Sequence, residues 1–533
     1  MWSERRNLLM PLPRLEPTRR AGRAMVCTID HVASAAGAQM LAAGGSAADA
    51  AVAASAVLAV TTQHMCGMGG DLWALVHDGP GAPAALNSSG RAGSGSDPER
   101  LRSEGHAVMP FRGDIRSVPV PGCVDGWITL HQRYGRLDVA DVLAPAIAAA
   151  EAGFAPTDHL DMAIPRILDV NGADDFIRYH SHGGILTRPG LGRSLRAIAA
   201  GGRDRWYQGE FGEGLLALGQ GLYSEADLAR SCANWVEPLR VDRWGHALWT
   251  VPPNSQGYLT LLGAEIAAEL LQPDHAPDDP RWAHVLIEAA KQAAVDRAAV
   301  LHERTDLDAV FAAEEVTRRR RRIDRSRASA LPAPTAGGGT IYLCAVDENR
   351  MGVSLMQSNA AGFGAHLAVP GIGVFLHNRG IGFSLEPGHP AELGPGRRPP
   401  STLCPALVTT NGGDLHTVLG AMGGDGQPQV VLQLLARSLQ AGQDPGLALS
   451  SPRFTLTVPD AVGFDTWAKP DRLAVALENG SPWVEGLRQL GHAVQVLDWG
   501  TGLFGHANMI TVDGARLIGV AEPRAGSSAA VGL

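Results

Sequence analysis

The hydrophobic positions of this chain change their period near residue 335. Before that point the spacing is mostly helical. Ser34 to Ala43 predicts a helix stopped by Gly44-Gly45, and Ser46 caps a second helix over Ala47 to Val60. Asp49 falls in the first turn of that helix, where a negative charge interacts favourably with the helix dipole. Short strands are predicted at Val26 to Ile29 and Leu72 to His77, and Asn87 to Arg91 closes another. Trp127 to Tyr134 and Val139 to Ala152 predict helices, the second with Leu143, Ile147 and Ala150 on one face. Residues from about 155 to 330 are expected to be mostly helical, with helices at Leu259 to Leu270 and Trp282 to His302. Beyond 335 the pattern is that of strands and tight turns: Thr340 to Asp347, Gly352 to Ser358, Gly373 to His377 and Ala406 to Thr410. A helix over Gln429 to Ala441, another near Trp483 to Leu490 and a hairpin over Met509 to Ala521 complete the prediction.

The change of period coincides with Gly337-Gly338-Gly339-Thr340, preceded by a Pro/Ala/Thr linker over Ala330 to Ala336. Two readings fit: a flexible linker entering a strand, or a self-cleavage site between Gly339 and Thr340. In the second reading the Thr340 hydroxyl attacks the Gly339 carbonyl, and water releases the resulting ester. Glycine at that position offers no Cβ to block the approach. The freed α-amine of Thr340, with a pKa of about 7.7–8.0, would then serve as the base that activates its own hydroxyl. Competing nucleophiles are weaker: the chain has no G-x-S-x-G elbow, and none of its cysteines lies in a papain-like signature.

Composition narrows the class. The chain has 533 residues, 45% of them hydrophobic, enough for a large core. A net charge of −9 argues against a nucleic-acid partner. The six cysteines are dispersed and include no C-x-x-C pair, which excludes a disulfide framework and a zinc knuckle and fits a reducing compartment. Pro11, Pro13 and several charges interrupt the apolar run at Leu8-Leu9-Met10, so residues 1–24 are expected to be a disordered or extended tail rather than an export signal. The expected location is cytoplasmic.

Other motifs carry competing readings. His64 to Asp71 contains a glycine-rich turn without G-x-G-x-x-G spacing or a P-loop lysine, and predicts a tight turn into a strand. Arg91 is either a surface charge or an anion clamp. His180-Ser181-His182 lacks a third ligand nearby and predicts a polar loop. Arg318 to Arg322 predict a solvated helical turn.

Taken in order, many of these pieces resemble the γ-glutamyltransferase (γ-glutamyltranspeptidase) family of N-terminal-nucleophile hydrolases. The resemblance spans about residues 25 to 530. It is carried by Gly44 to Ala50, Gly67 to Gly70, Gly90-Arg91, Val120 to Gly122, Leu143 to Ile147 and Glu288 to Lys291. Past the junction it continues through Thr340 to Asp347, Gln357 to Asn359, Gly362 to Gly364, Pro370 to Gly373, Arg398-Pro399, Met422 to Gly424 and Glu522 to Arg524. It implies a four-layer αββα sandwich, with a large α-rich subunit (residues 25–339) contributing strands and a small subunit (residues 340–533) headed by the nucleophile. The subunits stay associated after the cut, as one heterodimer or a dimer of heterodimers. Thr340 falls on the catalytic threonine, Ser358 on a supporting hydroxyl, and Gly423 and Gly424 on the backbone oxyanion hole. Arg91, Ser401 and Thr402 fall on groups that hold the substrate's α-carboxylate; Asn359 and Arg379 join them as candidate substrate contacts. No cofactor and no metal are called for, and the partner is a small-molecule γ-glutamyl or acyl amide, with no nucleic acid or membrane.

Two departures qualify the substrate. Ile341 stands where the well-studied transpeptidases carry a second threonine. The segment Asn378 to Phe383 lacks the acidic pair that binds the glutamyl α-ammonium, and Arg379 adds a positive charge there. The segment Glu386 to Arg398, which corresponds to the lid, is short. These traits resemble the acylase-like branch of the family. The leading expectation is a self-cleaving γ-glutamyltransferase or glutathione-hydrolase-like enzyme of glutathione metabolism, acting through an acyl-ester on Thr340. The alternatives are a cephalosporin-acylase-like amidohydrolase, a C–C bond hydrolase, or an uncleaved pseudo-enzyme that only binds.

Overall fold

The computed structural model describes residues 18–272, 274–329, 339–457 and 474–533. The predicted linker at 330–336, Gly337, Gly338 and residues 1–17 of the predicted tail lie outside them. Two seven-stranded antiparallel sheets form the centre. The first runs, edge to edge, Ala529–Gly532, Met25–Thr28, Gly339–Val346, Gly352–Ala360, Asp71–His77, Ala84–Ser88 and Asn234–Val236. The second runs Thr18–Ala21, Arg516–Val520, Ala507–Asp513, Leu415–Ala421, Ala406–Thr410, His246–Thr250 and Leu239–Arg243. Each sheet takes strands from both sides of residue 340, so the strand Gly339–Val346 is hydrogen-bonded between Met25–Thr28 and Gly352–Ala360.

The layering follows from strand periodicity. In the strand that starts at Gly339, Tyr342, Cys344 and Val346 point between the sheets, against Ile510, Leu407 and Val418 of the second sheet. Ile341, Leu343 and Ala345 point the other way, into a core shared with the helix Ala47–Thr61. That helix is buried along its whole length, and its alanines let the backbone lie close to the sheet. Its start is fixed by a capping box in which Ser46 and Asp49 bond each other's backbone N–H groups. The outer face of the second sheet is covered by Tyr258–Ala267, Pro280–Ala294 and Gln427–Leu435. The result is the αββα sandwich.

Four expectations are corrected. The tail ends earlier than predicted, because Thr18–Ala21 pairs with Arg516–Val520 as an edge strand. The expectation of mostly helix from 155 to 330 holds for the bulk of the segment and fails at Asn234–Val236, Leu239–Arg243 and His246–Thr250, which are strands. His180 and His182 end the helix Asp174–His182 instead of lying in a loop. Arg319 is not solvated; it is buried against Asp296 and Glu315 at 2.6 and 2.7 Å. All six cysteines are free and buried. Among the described residues no helix is long and apolar enough to cross a membrane.

Candidate active site

Thr340 lies at a β-bulge. Gly339 pairs with Ala360 and Ile341 pairs with Gln357, so Ser358 and Asn359 of the partner strand oppose the single Thr340. A bulge re-aims the side chain it carries, and Thr340 Oγ1 meets Ser358 Oγ at 3.0 Å. Ser358 Oγ also accepts the Ala360 backbone N–H at 2.8 Å, which fixes its position. Thr340 is fully buried. While the chain is continuous its nitrogen is a peptide amide and has no basicity; only cleavage gives the neighbouring hydroxyl a base.

The register of the first sheet places Asp71 directly opposite Ser358. Trp73 and Leu75, on the same strand face as Asp71, point between the sheets, as does Met356 on the face of Ser358. Asp71 and Ser358 therefore enter the same end of the intersheet space as Thr340. Arg379 Nε donates to Asp71 Oδ2 at 2.8 Å, and its Nη1 donates to Thr402 Oγ1 at 3.1 Å. The Thr402 carbonyl accepts from Gln256 Nε2 at 3.0 Å, and the same amide nitrogen donates to the Gly424 carbonyl at 2.9 Å. Gln256 is held in turn by Arg297, whose Nη2 reaches Gln256 Oε1 and Asp425 Oδ1, each at 3.0 Å. Hydrogen bonds thus join Thr340 to Ser358, and join Asp71 through Arg379, Thr402 and Gln256 to Gly424, with Asp71 across the strand pair from Ser358. Gly423 and Gly424 turn with φ of +140° and +56°, values that disfavour any side chain and expose successive backbone groups.

This geometry corrects the reading of Arg379. Its guanidinium is buried, and its charge is balanced by Asp71, so it neither repels an ammonium nor offers a free cation. Asp71 and Gln256 were missed from the sequence. Asp71 was visible only as the acid that follows Gly69-Gly70. Gly70 itself is required there because a Cβ would fall 2.2 Å from the Ser358 carbonyl.

The remaining candidates divide into two groups. Asn359 is buried, and its Nδ2 donates to the Gln63 carbonyl at 3.0 Å; it secures the glycine-rich turn and its Oδ1 has no protein partner. Ser401 is bound through its backbone to Asn254, and Asn254 Nδ2 donates to Ser89 Oγ at 3.1 Å. Arg398 Nη1 reaches the same Ser89 hydroxyl at 3.3 Å, and its Nη2 donates to Asn234 Oδ1 at 2.6 Å. Arg91 Nη1 donates to the Gly396 carbonyl at 2.9 Å, and its buried Nε has no partner. Arg91 and Arg397 share one acid, Glu303, at 3.6 and 3.7 Å. Burial pushes the Arg398 guanidinium down to about 10, helped by the charge of Arg91; it remains a cation at neutral pH. Arg91, Arg397 and Arg398 thus outnumber the one carboxylate beside them.

The profile described as Gamma-glutamyltranspeptidase matches residues 33–532. The chain belongs to this family. It is 34% identical to the Glutathione hydrolase-like YwrD proenzyme of Bacillus subtilis (strain 168), over 96% of this chain and 98% of that protein. It is 33% identical to the Oxamate amidohydrolase proenzyme of Klebsiella pneumoniae, over 94% and 97%. The crystal structure of a cephalosporin acylase from Bacillus halodurans superposes with a TM-score of 0.88 at 31% identity, covering 99% of this chain and 98% of that one.

As a γ-glutamyltranspeptidase-family enzyme, the protein is an N-terminal-nucleophile hydrolase made as a proenzyme. The lid counterpart is anchored in this family member: Leu385 and Leu393 pack with Leu101 and Met109, and Arg102 Nη1 bonds the Leu385 carbonyl at 2.7 Å. Among the described residues one cluster of metal-ligand type lies elsewhere, at His284, Glu288 and His492. Its groups are occupied by protein: His284 Nδ1 meets His492 Nε2 at 2.7 Å, and Glu288 bonds Lys291 at 2.8 Å.

Proposed function

We propose that this family member hydrolyses a small amide whose acyl half carries a carboxylate but needs no α-ammonium. Cleavage between Gly339 and Thr340 frees the Thr340 amine. That amine takes the proton from Thr340 Oγ1 as the oxygen attacks the substrate carbonyl. Ser358 holds the attacking oxygen in place. Backbone N–H groups of the Gly423-Gly424 turn stabilise the oxyanion. The amine leaves with the transferred proton, and water resolves the acyl-ester. The substrate's carboxylate is held by Arg91 with the Ser401 and Thr402 hydroxyls, beside the surplus cations of Arg397 and Arg398.

The observation that carries the acyl preference is the Arg379–Asp71 pair. Where a γ-glutamyl ammonium would need a free acid, the acid present is already neutralised. The names of two relatives, an oxamate amidohydrolase and a cephalosporin acylase, support the same choice. A second reading, hydrolysis of γ-glutamyl amides, is favoured by the relative named glutathione hydrolase-like. The sandwich shares strands across residue 340, which supports subunits that stay together after the cut. Six free buried thiols support a reducing, cytoplasmic setting.

The two readings are separated by a matched pair of chromogenic substrates. Glutaryl and γ-glutamyl para-nitroanilide differ only in the α-ammonium. The acylase reading predicts kcat/KM at least about tenfold higher for the glutaryl compound, the cost of an ammonium desolvated without a partner. A preference of that size for the γ-glutamyl compound would reverse the assignment.

A further inference from the structure

The Gly423-Gly424 turn has two flanks. Gly424 faces Gln256 and Thr402, the flank assigned above to the acyl carboxylate. Gly423 faces Gly505: a Cβ on Gly423 would lie 3.2 Å from the Gly505 Cα, and the Met422 N–H donates to the His506 carbonyl at 2.9 Å. His506 therefore stands beside the oxyanion turn, and Arg453 Nη1 donates to the carbonyls of Phe504 and Gly505 just before it, at 3.0 Å each. Its ring is buried, and neither Nδ1 nor Nε2 has a protein partner. The His159 ring, on the exposed helix Asp158–Ala163, lies 6.0 Å away, centroid to centroid.

A third histidine arrives from the nucleophile's side. The Asn359 N–H, next to Ser358, donates to the Met65 carbonyl at 3.0 Å, and the Phe363 N–H donates to the His64 carbonyl at 3.1 Å. His64 Nδ1 is buried without a partner. His159 and His506 both add to the electrostatics of His64. Two of these rings, His64 and His506, thus carry buried nitrogens without a protein partner, and the exposed His159 stands beside His506.

We propose that His64, His159 and His506 form a subsite for a carboxylate on the leaving amine of the substrate. The proposal rests on the amidase reading for its orientation, since the acyl half fills the opposite flank. Buried imidazoles without partners are costly unless a ligand satisfies them, and an N–H donor set of this kind matches a carboxylate. The charged surroundings are favourable on balance. Burial, then His159 and His506, and then Arg166 push His64 down to about 3. Burial likewise lowers His506 to about 4, against Glu522 and with His159, Arg453 and Arg524 adding to the fall. Both rings are neutral at pH 7 while the site is empty, and Glu522 is engaged by Arg453 and Arg524 at 2.9 Å each. An arriving carboxylate meets neutral N–H donors and favours proton uptake by the rings.

The test uses the cleaved enzyme with its preferred acyl group on two leaving amines: para-nitroaniline and the same amine carrying a meta-carboxylate. The wild type is expected to favour the carboxylated anilide by about tenfold in kcat/KM after correction for intrinsic reactivity, and the preference should grow as pH falls from 8 to 6. His159→Ala, on an exposed helix, and His506→Gln should each bring the ratio toward one. A ratio that both variants leave unchanged overturns the subsite. If no anilide is cleaved, the amidase reading fails on its own. Calorimetry with the free carboxylated nitroaniline then decides: binding weakened by His159→Ala supports the subsite, and equal or absent binding refutes it.

Discussion

Two kinds of arginine site lie within this fold, and they differ in charge balance. At Arg379 and Asp71 one cation meets one buried carboxylate, and both are withdrawn from water. The same balance recurs at Arg453 and Arg524 with Glu522 and Glu478, where Arg524 meets Glu478 at 2.6 Å and Glu522 at 2.9 Å. At Arg91, Arg397 and Arg398 the cations have a single acid beside them, Glu303, which Arg91 and Arg397 share. A balanced buried pair is framework: removing one half strands the other. An unbalanced cluster has charge left over for an anion. The difference separates residues that shape the site from residues that fill it.

The comparison breaks first at Asp71. Asp71→Asn leaves Arg379 buried and uncompensated, and should cost about 3–5 kcal/mol in denaturant unfolding. Replacing both members, Asp71→Asn with Arg379→Met, should recover much of that loss. A single variant as stable as the wild type would mean the pair is not framework. Arg91→Ala should do the reverse. Stability should change little, while kcat/KM for a carboxylated acyl substrate should fall about 30- to 100-fold, mostly through KM. An equal loss on a substrate without that carboxylate would move Arg91 to the framework class.

The smallest effect is expected in acid. Burial pushes the Glu522 carboxyl up, but Arg453 and Arg524 outweigh it and hold it at about 2. A carboxylate with a depressed folded pKa stabilises above its unfolded pKa and loses that contribution as pH falls toward the folded one. Between pH 5 and pH 3 the wild type should therefore lose on the order of 1–2 kcal/mol that Glu522→Gln does not lose. Parallel acid profiles for the two proteins would contradict the network.

Local signals in the sequence were sufficient for much of this. The capped alanine helix, the strands on both sides of 348–351 and the Gly-Gly turn at 423–424 each carry their own punctuation. Leu239-Arg240-Val241-Asp242-Arg243 did alternate as a strand does, but five residues inside a helix-rich stretch are too few to outweigh their surroundings. The site was legible as a roster of residues, not as an arrangement. That Asp71 faces Ser358 depends on strand register, and that it neutralises Arg379 depends on a contact across 308 positions. Arg379 was therefore read with its charge exposed. The histidine cluster was invisible for the same reason: His64, His159 and His506 share no local pattern, and only the fold gathers them.

The central claim concerns one peptide bond, and intact-mass analysis of the purified protein tests it directly. The account predicts two fragments from the wild type, the smaller beginning at Thr340, and one uncut, inactive 533-residue chain from Thr340→Ala. A wild-type chain that stays whole and still hydrolyses amides, or a Thr340→Ala variant that retains activity, would contradict it.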